Sequence, residues 1–294
     1  MIDTGLKNKV AIVTGANNPH GIGAAIARAL AKQGVKLVLH YYQFKGKGVG
    51  NDVSEMGIDF FMQQQAKNAD EVVASIEEIG GQAIAIEGDL SDVAVISQLF
   101  EAAEKHFGPV DIVVNNACSW QGDTFLPDDK ELWSKIFEDI AGRPAIFSTE
   151  TFTHHFAVNT LATALIISEF ARRSLSRETT KGGRIVNIST DSSHCVPSEI
   201  SYAASKHAME SYTRSAAVEL GRYDITANVV SVGPVQSGYI DDKLEQRIKT
   251  LIPMNRVGKP EDIANAVVFL ASEQASWITG QVIYVNGGKG LVVC

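Results

Sequence analysis

The sequence predicts an α/β protein built on a seven-stranded parallel sheet with helices on both faces. Three observations carry this. Seven short runs rich in β-branched and apolar residues recur along a chain of 294 residues. The runs are continuously apolar, which is the pattern of strands buried on both faces. Helical patterns fall between them, and strand–helix–strand alternation joins parallel strands.

The strand runs are KVAIVTG (9–15), VKLVLHYY (35–42), QAIAIEGD (82–89), VDIVVNNA (110–117), GRIVNIST (183–190), DITANVVSV (224–232) and GQVIYVNGG (280–288). Helical patterns cover 21–33, 65–79, 92–107, 151–176, 202–221 and 260–272. The third follows a Ser and an Asp and stops at Gly108-Pro109. The last opens on Pro260 and two acids, which suit the first turn of a helix. Two stretches break the rhythm: 43–64, glycine-rich and then aromatic, and 119–150, a long loop with a short helix and the aromatics Trp120, Phe125 and Phe147. Both follow strand carboxyl ends, where open parallel sheets bind ligands. No repeat or linker divides the chain, so one domain over residues 1–294 is expected.

Composition narrows the partners. A hydrophobic share of 45% with 20% charged residues is that of a globular chain able to bury a large core. A net charge of -8 argues against nucleic acid, which needs clustered Lys and Arg. No segment approaches the roughly 18 apolar residues of a membrane span. The opening residues MIDTGLKNKV hold no leader-like apolar stretch. The cysteines, Cys118, Cys195 and Cys294, form neither a disulfide framework nor a metal pattern. A cytoplasmic protein without a metal is expected.

VTGANNPHGIG (13–23) joins the first strand to the first helix. In that place a glycine loop lets backbone N–H groups and a helix N-terminus approach a pyrophosphate. Gly15, Gly21 and Gly23 supply the turn and the close packing; Asn17, His20 and Ile22 complete the candidate contacts. GDL ends the third strand run, with Asp89 where an adenine could be hydrogen-bonded. NNA ends the fourth, with Asn115, Asn116 and Ala117 where a ribose would lie. After the second strand an acid would bind the 2′-hydroxyl of NAD. Here the chain reads LHYYQFKGKG, with His40, Lys45 and Lys47 instead, so NADP(H) is expected over NAD(H).

Tyr202 and Lys206, four residues apart in SYAASKHAM, share a helix face. A nearby ammonium would lower the phenol pKa from about 10 and make it a proton donor or acceptor for a carbonyl–alcohol pair. GRIVNIST, a dozen residues earlier, ends in hydroxyls that can bond the same substrate oxygen.

With these motifs in this order, the chain resembles the classical short-chain dehydrogenase/reductase family over nearly its whole length. VAIVTG…GIG is similar to the family's cofactor loop, NNA to its Asn-Asn-Ala-Gly motif and YAASK to its Tyr-x-x-x-Lys. NRVGKPEDIANAVVFLASEQASWITGQVIYVNGG is similar to its C-terminal signature. Within the family it looks most like the 3-oxoacyl-(acyl-carrier-protein) reductase-type members. The resemblance implies a Rossmann-like three-layer α/β/α sandwich and a homotetramer or homodimer. It also implies hydride transfer between nicotinamide and a small carbonyl or secondary alcohol substrate, with reduction of 3-oxoacyl thioesters as one such reaction. It implies Tyr202 as general acid/base, Lys206 on the nicotinamide ribose, and Asn159 supporting a proton-relay water. Asp89, Leu90 and Asn116 would approach the adenosine side, and Gly233, Pro234, Val235 and Ser237 the nicotinamide. The rival reading is a nucleotide-binding regulatory protein of the same fold that lacks turnover.

Three departures from the family pattern matter. The glycine loop holds five residues between Gly15 and Gly21, where three are usual. Cys118 replaces the motif glycine. The catalytic hydroxyl is Ser189 by counting thirteen residues back from Tyr202, or Thr190 by strand alignment, which is preferred; Ser192 is a third candidate.

Overall fold

The computed structural model describes residues 3–44, 53–132, 136–177 and 182–290. Lys45, Lys47 and Cys294 lie outside them. In chain order the elements begin β1 (Val10–Thr14), α1 (Ile22–Ala31), β2 (Lys36–Tyr41), α2 (Ile58–Gln65), α3 (Asp70–Glu77), β3 (Gln82–Glu87), α4 (Ala94–His106) and β4 (Ile112–Asn115). The long loop after β4 carries a two-stranded pair, β5 (Asp123–Thr124) and β6 (Ala145–Ile146), with α5 (Ile136–Ala141) between them. Then come α6 (Thr149–His155), a π-helical segment (Phe156–Ala162) and α7 (Thr163–Leu175). The chain continues through β7 (Gly183–Thr190), α8 (Ile200–Leu220), β8 (Ile225–Val232), α9 (Asp242–Lys249), α10 (Pro260–Ala271) and β9 (Val282–Val285).

The seven runs expected as strands form one parallel sheet in the order β3-β2-β1-β4-β7-β8-β9. Side chains of successive strand residues point to opposite faces, so both faces of β1 are apolar. Ala11 and Val13 face a core built with α1, α3 and α10, including Ile26, Leu30, Ile76 and Val267. Val10 and Ile12 face a second core with α4, α7 and α8, including Leu99, Phe100, Ile166 and Phe170. The expected three-layer α/β/α sandwich is therefore present. Among the described residues, no helix is long and apolar enough to cross a membrane.

Two expectations about local structure change. The helix expected over 151–176 is three pieces, because the backbone widens into a π-helical turn at Phe156–Ala162. Such turns are uncommon and favour functional sites; this one contains Asn159. The stretch 43–64 holds α2, whose eight residues present only Gln64 as fully buried. Its short and weakly apolar pattern hides it among loop residues.

A polar chain crosses the sheet. Asn115 Nδ2 donates to Asn187 Oδ1 at 2.7 Å, and Asn187 Nδ2 donates to Thr213 Oγ1 of α8, also at 2.7 Å. Thr213 Oγ1 in turn donates to the Met209 carbonyl at 2.8 Å. β4, β7 and α8 are thus locked in register by side chains as well as by the ladder. Asn115 Oδ1 is already buried without a partner, so Asn187→Ala would strip the remaining bond from the Asn115 side chain. An expected loss of about 2–3 kcal/mol follows from two broken bonds and an orphaned buried amide. Chemical denaturation of the variant measures it, and a loss below about half a kcal/mol would remove the chain from the list of structural ties.

Candidate active site

The carboxyl ends of the strands line one edge of the sheet. β1 and β4 are neighbours there, with β2 and β3 on one side and β7 on the other. The chain leaving β1 enters α1 on one face, whereas the chain leaving β4 leads toward α7 on the other. That divergence opens the crevice in which such sheets bind ligands.

The glycine loop crosses this crevice. Gly15 has φ +67° and packs against Ala117, whose Cα an added Cβ would approach to 2.8 Å. A Cβ on Gly23 would lie 2.2 Å from the Gly15 carbonyl oxygen. Both positions therefore require glycine for close packing between loop, helix and β4. Gly21 caps α1 without a side-chain bond, and no acid occupies the first turn that begins at Ile22. The positive end of the helix faces the crevice uncompensated, which fits a pyrophosphate.

The other residues of the loop are spent on its own support. Asn17 Nδ2 donates to the carbonyls of Gln65 and Lys67, both at 2.9 Å. Asn18 Nδ2 donates to the Ser237 carbonyl at 3.0 Å, and its Oδ1 accepts the His20 N–H at 2.9 Å. His20 is exposed, its ring 5.3 Å from that of Phe60 in α2. The side chain of Asn17, expected among the cofactor contacts, is spent on pinning the loop to the C-terminal end of α2 and the residues that follow it.

His40 is corrected as well. It is 2% exposed, accepts the Gly15 N–H on Nδ1 at 3.4 Å and lies with Nε2 2.9 Å from the Gly88 carbonyl. These partners define a neutral ring protonated on Nε2, and burial pulls its pKa down to about 4. A neutral imidazole enclosed between two backbone groups offers no charge to a 2′-phosphate. Asp89, by contrast, is exposed and caps its own turn through the Ser91 N–H at 2.8 Å. Leu90 beside it is buried in the second core.

Asn116 and Ala117 tie β4 to β1. Asn116 Nδ2 donates to the Thr14 and Gly15 carbonyls, both at 2.9 Å, while Thr14 Oγ1 accepts the N–H groups of Asn116 and Ala117, both at 3.0 Å. The Asn116 amide thus shapes the crevice from inside. Asn115 is 3% exposed and belongs to the polar chain across the sheet, so it does not face a ribose. On the far side, Gly233 approaches Asn286, Pro234 accepts the Gly258 N–H at 2.9 Å and Val235 is buried. Ser237 contributes its carbonyl to Asn18.

Tyr202 and Lys206 lie in the first two turns of α8, over the end of β7. Lys206 is 3% exposed and donates from Nζ to the Ile188 carbonyl at 2.8 Å. Burial lowers its pKa, against the opposing pull of Cys118 and Glu210. The expected depression of the Tyr202 pKa is reversed: burial pushes the phenol well above its ordinary value, with Cys118, Glu199, Tyr239 and Asp191 adding to the rise. The Lys206 ammonium is committed to the strand carbonyl, and desolvation of the phenolate dominates. Asn159 is fully buried; its Oδ1 accepts the Ser119 N–H at 2.8 Å and its Nδ2 donates to the Ser119 carbonyl at 3.0 Å and to Ser205 Oγ at 2.9 Å. Its side chain therefore joins the loop after β4 to the helix bearing Tyr202.

The two hydroxyl candidates on β7 separate cleanly. Ser189 is buried and donates to Glu210 Oε1 at 2.6 Å. Thr190 is half-buried on the opposite strand face, at the sheet edge, and accepts only a long 3.4 Å contact from the Ser192 N–H. Ser192 donates to Asp191 Oδ1 at 2.9 Å. Of the two, Thr190 has the hydroxyl that is not committed to a buried carboxylate.

Sequence reasoning missed a group of residues around Tyr202. The Trp120 indole donates to Glu199 Oε1, and burial raises the Glu199 pKa. The Tyr239 ring stands 6.1 Å from Trp120 and 6.0 Å from Phe61 of α2. His155 lies 6.5 Å from the Tyr202 ring, accepts the Gln121 N–H on Nε2 at 3.2 Å and has Nδ1 2.6 Å from the Thr151 carbonyl. The aromatic content of the two insertions was the one visible signal.

A parallel sheet in this order, with a helix-borne Tyr–Lys pair at its carboxyl edge, defines a dinucleotide-dependent oxidoreductase. A family model described as Enoyl-(Acyl carrier protein) reductase matches residues 45–289. The chain is 31% identical to Uncharacterized oxidoreductase YjdA of Bacillus subtilis, over 96% of this chain and 97% of that protein. It is 32% identical to Hydroxynaphthalene reductase-like protein Arp2 of Metarhizium brunneum, over 97% and 96%. A solved short-chain dehydrogenase/reductase from Serratia marcescens superimposes with a TM-score of 0.74 at 29% identity, covering 96% of this chain and 98% of that one. The chain belongs to the short-chain dehydrogenase/reductase family. It is an oxidoreductase of CH–OH and carbonyl groups, with a nicotinamide dinucleotide as its class of cofactor.

Two outcomes are expected. Thr190→Ala lowers kcat about a hundredfold by removing a donor to the reacting oxygen, and Thr190→Ser restores most of it. Ser189→Ala acts on stability, since it leaves the buried Oε1 of Glu210 without its donor. Steady-state kinetics and denaturation on the same preparations separate the two, and equal kcat losses would return Ser189 to the site. His40 sets a pH effect. An unfolded imidazole takes up a proton as pH falls through 6.5, whereas folded His40 resists until about 4. Its contribution is fully present above 6.5 and lost down to about 4, a change of roughly 3 kcal/mol. His40→Gln, with one donor and one acceptor but no titration, flattens stability over this window; unchanged slopes would clear His40 of the effect.

Proposed function

We propose that this protein is an NADP(H)-dependent oxidoreductase that interconverts a small ketone and its secondary alcohol within one domain spanning residues 1–294. The observation that carries the reading is the pairing at the end of β7. Tyr202 and Lys206 stand on the buried side of α8, and Thr190 offers a hydroxyl not spent on Glu210. In reduction, Thr190 donates a hydrogen bond to the carbonyl oxygen and Tyr202 passes its proton to that oxygen. Burial keeps the phenol protonated at neutral pH, and a cation brought beside it would lower its pKa toward the working range of a proton donor. Lys206 and Asn116 hold the ribose side of the crevice, and Asn159 supports the water that returns the proton. Gly15, Gly21 and Ile22 form the phosphate cradle, with Asp89 and Leu90 beside the adenine. Gly233 to Val235 and Ser237 border the nicotinamide, which when bound supplies the hydride.

NADP(H) rests on the residues after β2. Tyr41 to Phe44 include no carboxylate to repel a 2′-phosphate, and Lys45 and Lys47 follow in sequence. The row of rings Trp120, Tyr239 and Phe61, with Tyr239 beside Tyr202, supports a flat cyclic ketone, in keeping with the name of the Metarhizium relative. A 3-oxoacyl thioester is the second reading, favoured by the description of the matching family model. The protein acts on a small molecule as a homodimer or homotetramer in the cytoplasm.

Oxidation of NADPH and NADH with cyclic aromatic ketones and 3-oxoacyl thioesters tests each part. A higher kcat/KM with NADPH and with cyclic ketones is expected, and Tyr202→Phe lowers kcat about a thousandfold while leaving cofactor affinity intact. A preference for NADH would overturn the cofactor assignment. Tight NADPH binding with no turnover of any substrate would turn the reading toward nucleotide-dependent regulation.

A further inference from the structure

α8 lacks the cap that its own sequence would supply. Its N-cap residue is Glu199, which makes no side-chain bond to the first turn. The need is met from 78 residues away. Asp123, in β5, is 0% exposed; its Oδ1 accepts the Ser201 N–H at 2.9 Å, and its Oδ2 accepts the Ser201 hydroxyl. The backbones of Asp123 and Glu199 also form a parallel bridge, and Trp120 holds the Glu199 carboxyl group. Burying a carboxyl group away from water is costly unless it is bonded, and here both oxygens are used on the residue that immediately precedes Tyr202. A carboxylate is also favourable at the positive end of a helix.

The same loop also bonds three other residues near the site. Ala117 bonds Thr14, Ser119 bonds Asn159 in both directions and Gln121 bonds His155. Asp123 ties the same loop to the first turn of α8.

We propose that Asp123 is the positioning residue for Tyr202, acting as a remote N-terminal cap of the catalytic helix. This rests on the role given to Tyr202 above. Its reach is mechanical: without the cap, the first turn frays and the phenol leaves the line of the Thr190 hydroxyl. The cofactor crevice between β1 and β4 is unaffected.

Asp123→Ala, Asp123→Asn and Ser201→Ala test this in the full chain. Asp123→Ala is expected to lower kcat about tenfold or more, because small misplacements of a reacting group are costly. KM for the ketone and Kd for NADPH stay within about twofold, since the binding surfaces are untouched. Asp123→Asn can accept the N–H and donate to the hydroxyl, so it restores kcat to within about threefold of the parent. Amide exchange at Ser201 to Ala203 rises in Asp123→Ala and not in Asp123→Asn. If Asp123→Ala fails to fold, Ser201→Ala breaks one of the two bonds and shows the same split at about threefold. Unchanged kcat, a kcat loss matched by weakened cofactor binding, or no rescue by Asn would overturn the proposal. If the parent enzyme turns over no substrate, the reading of Tyr202 fails, and unchanged exchange at Ser201 in the Ala variant still overturns the cap separately.

Discussion

β1 and β4 lie side by side in the sheet, yet the segments that follow them leave toward opposite faces. Two side chains hold the parting strands together. Asn116 reaches across to the carbonyls of Thr14 and Gly15, and Thr14 reaches back to two N–H groups after β4. The four bonds satisfy backbone groups that the end of the ladder would otherwise leave open. They also fix Gly15 against Ala117 and Gly23 against Gly15. The width of the crevice, the height of the phosphate cradle and the start of the loop carrying Ser119 to Asp123 all follow from that tie.

Around it, burial decides the charges. His40 is neutral because two backbone groups and the protein interior surround it. Tyr202 is held protonated because a desolvated phenolate would face Glu199 and Asp191. Lys206 carries its proton to the Ile188 carbonyl, not to the phenol. A unit charge at about 4 Å is worth about 4 kcal/mol at an effective dielectric near 20, so a committed ammonium would outweigh much of this if it turned to the phenol. The phenol at the edge of the sheet is therefore held protonated, with Lys206 as the group whose rearrangement can lower its pKa.

The strands were legible because their signal is a property of the element itself. All seven apolar runs became the sheet, in one layer with both faces covered. Tyr202, Lys206 and the glycine loop were legible because their spacing is short. What stayed hidden depends on contacts between distant segments. An aspartate at 123 in a polar loop reads as solvated, and only the fold brings it to Ser201. Two ways of counting in the sequence point to different hydroxyls, Ser189 or Thr190, and strand alternation shows one bonded to Glu210 and the other at the edge. His40 reads as a cation until its burial is known. The π-helical turn at Asn159 leaves no mark in a helical pattern, since widening one turn shifts the periodicity too little to detect.

The two extra residues of VTGANNPHGIG follow the same logic. Lengthening a loop by two residues costs little closure entropy, but an unsupported extension would let Gly21 to Gly23 drift from the crevice. Asn17 and Asn18 prevent this with bonds in opposite directions, Asn17 to Gln65 and Lys67 at the end of α2 and Asn18 to Ser237. Gly57 N–H donates to the Gly238 carbonyl at 2.9 Å, joining those two supports to each other. Phe60 packs on both His20 and Gly238. The extension, the α2 insertion and the loop after β8 thus form a closed ring of contacts over the mouth of the crevice. Each is longer or more irregular than a connection between strand and helix needs, and each is held by the other two. Shortening the glycine loop alone would remove the pins on both neighbours, so its length and theirs constitute one feature of this enzyme.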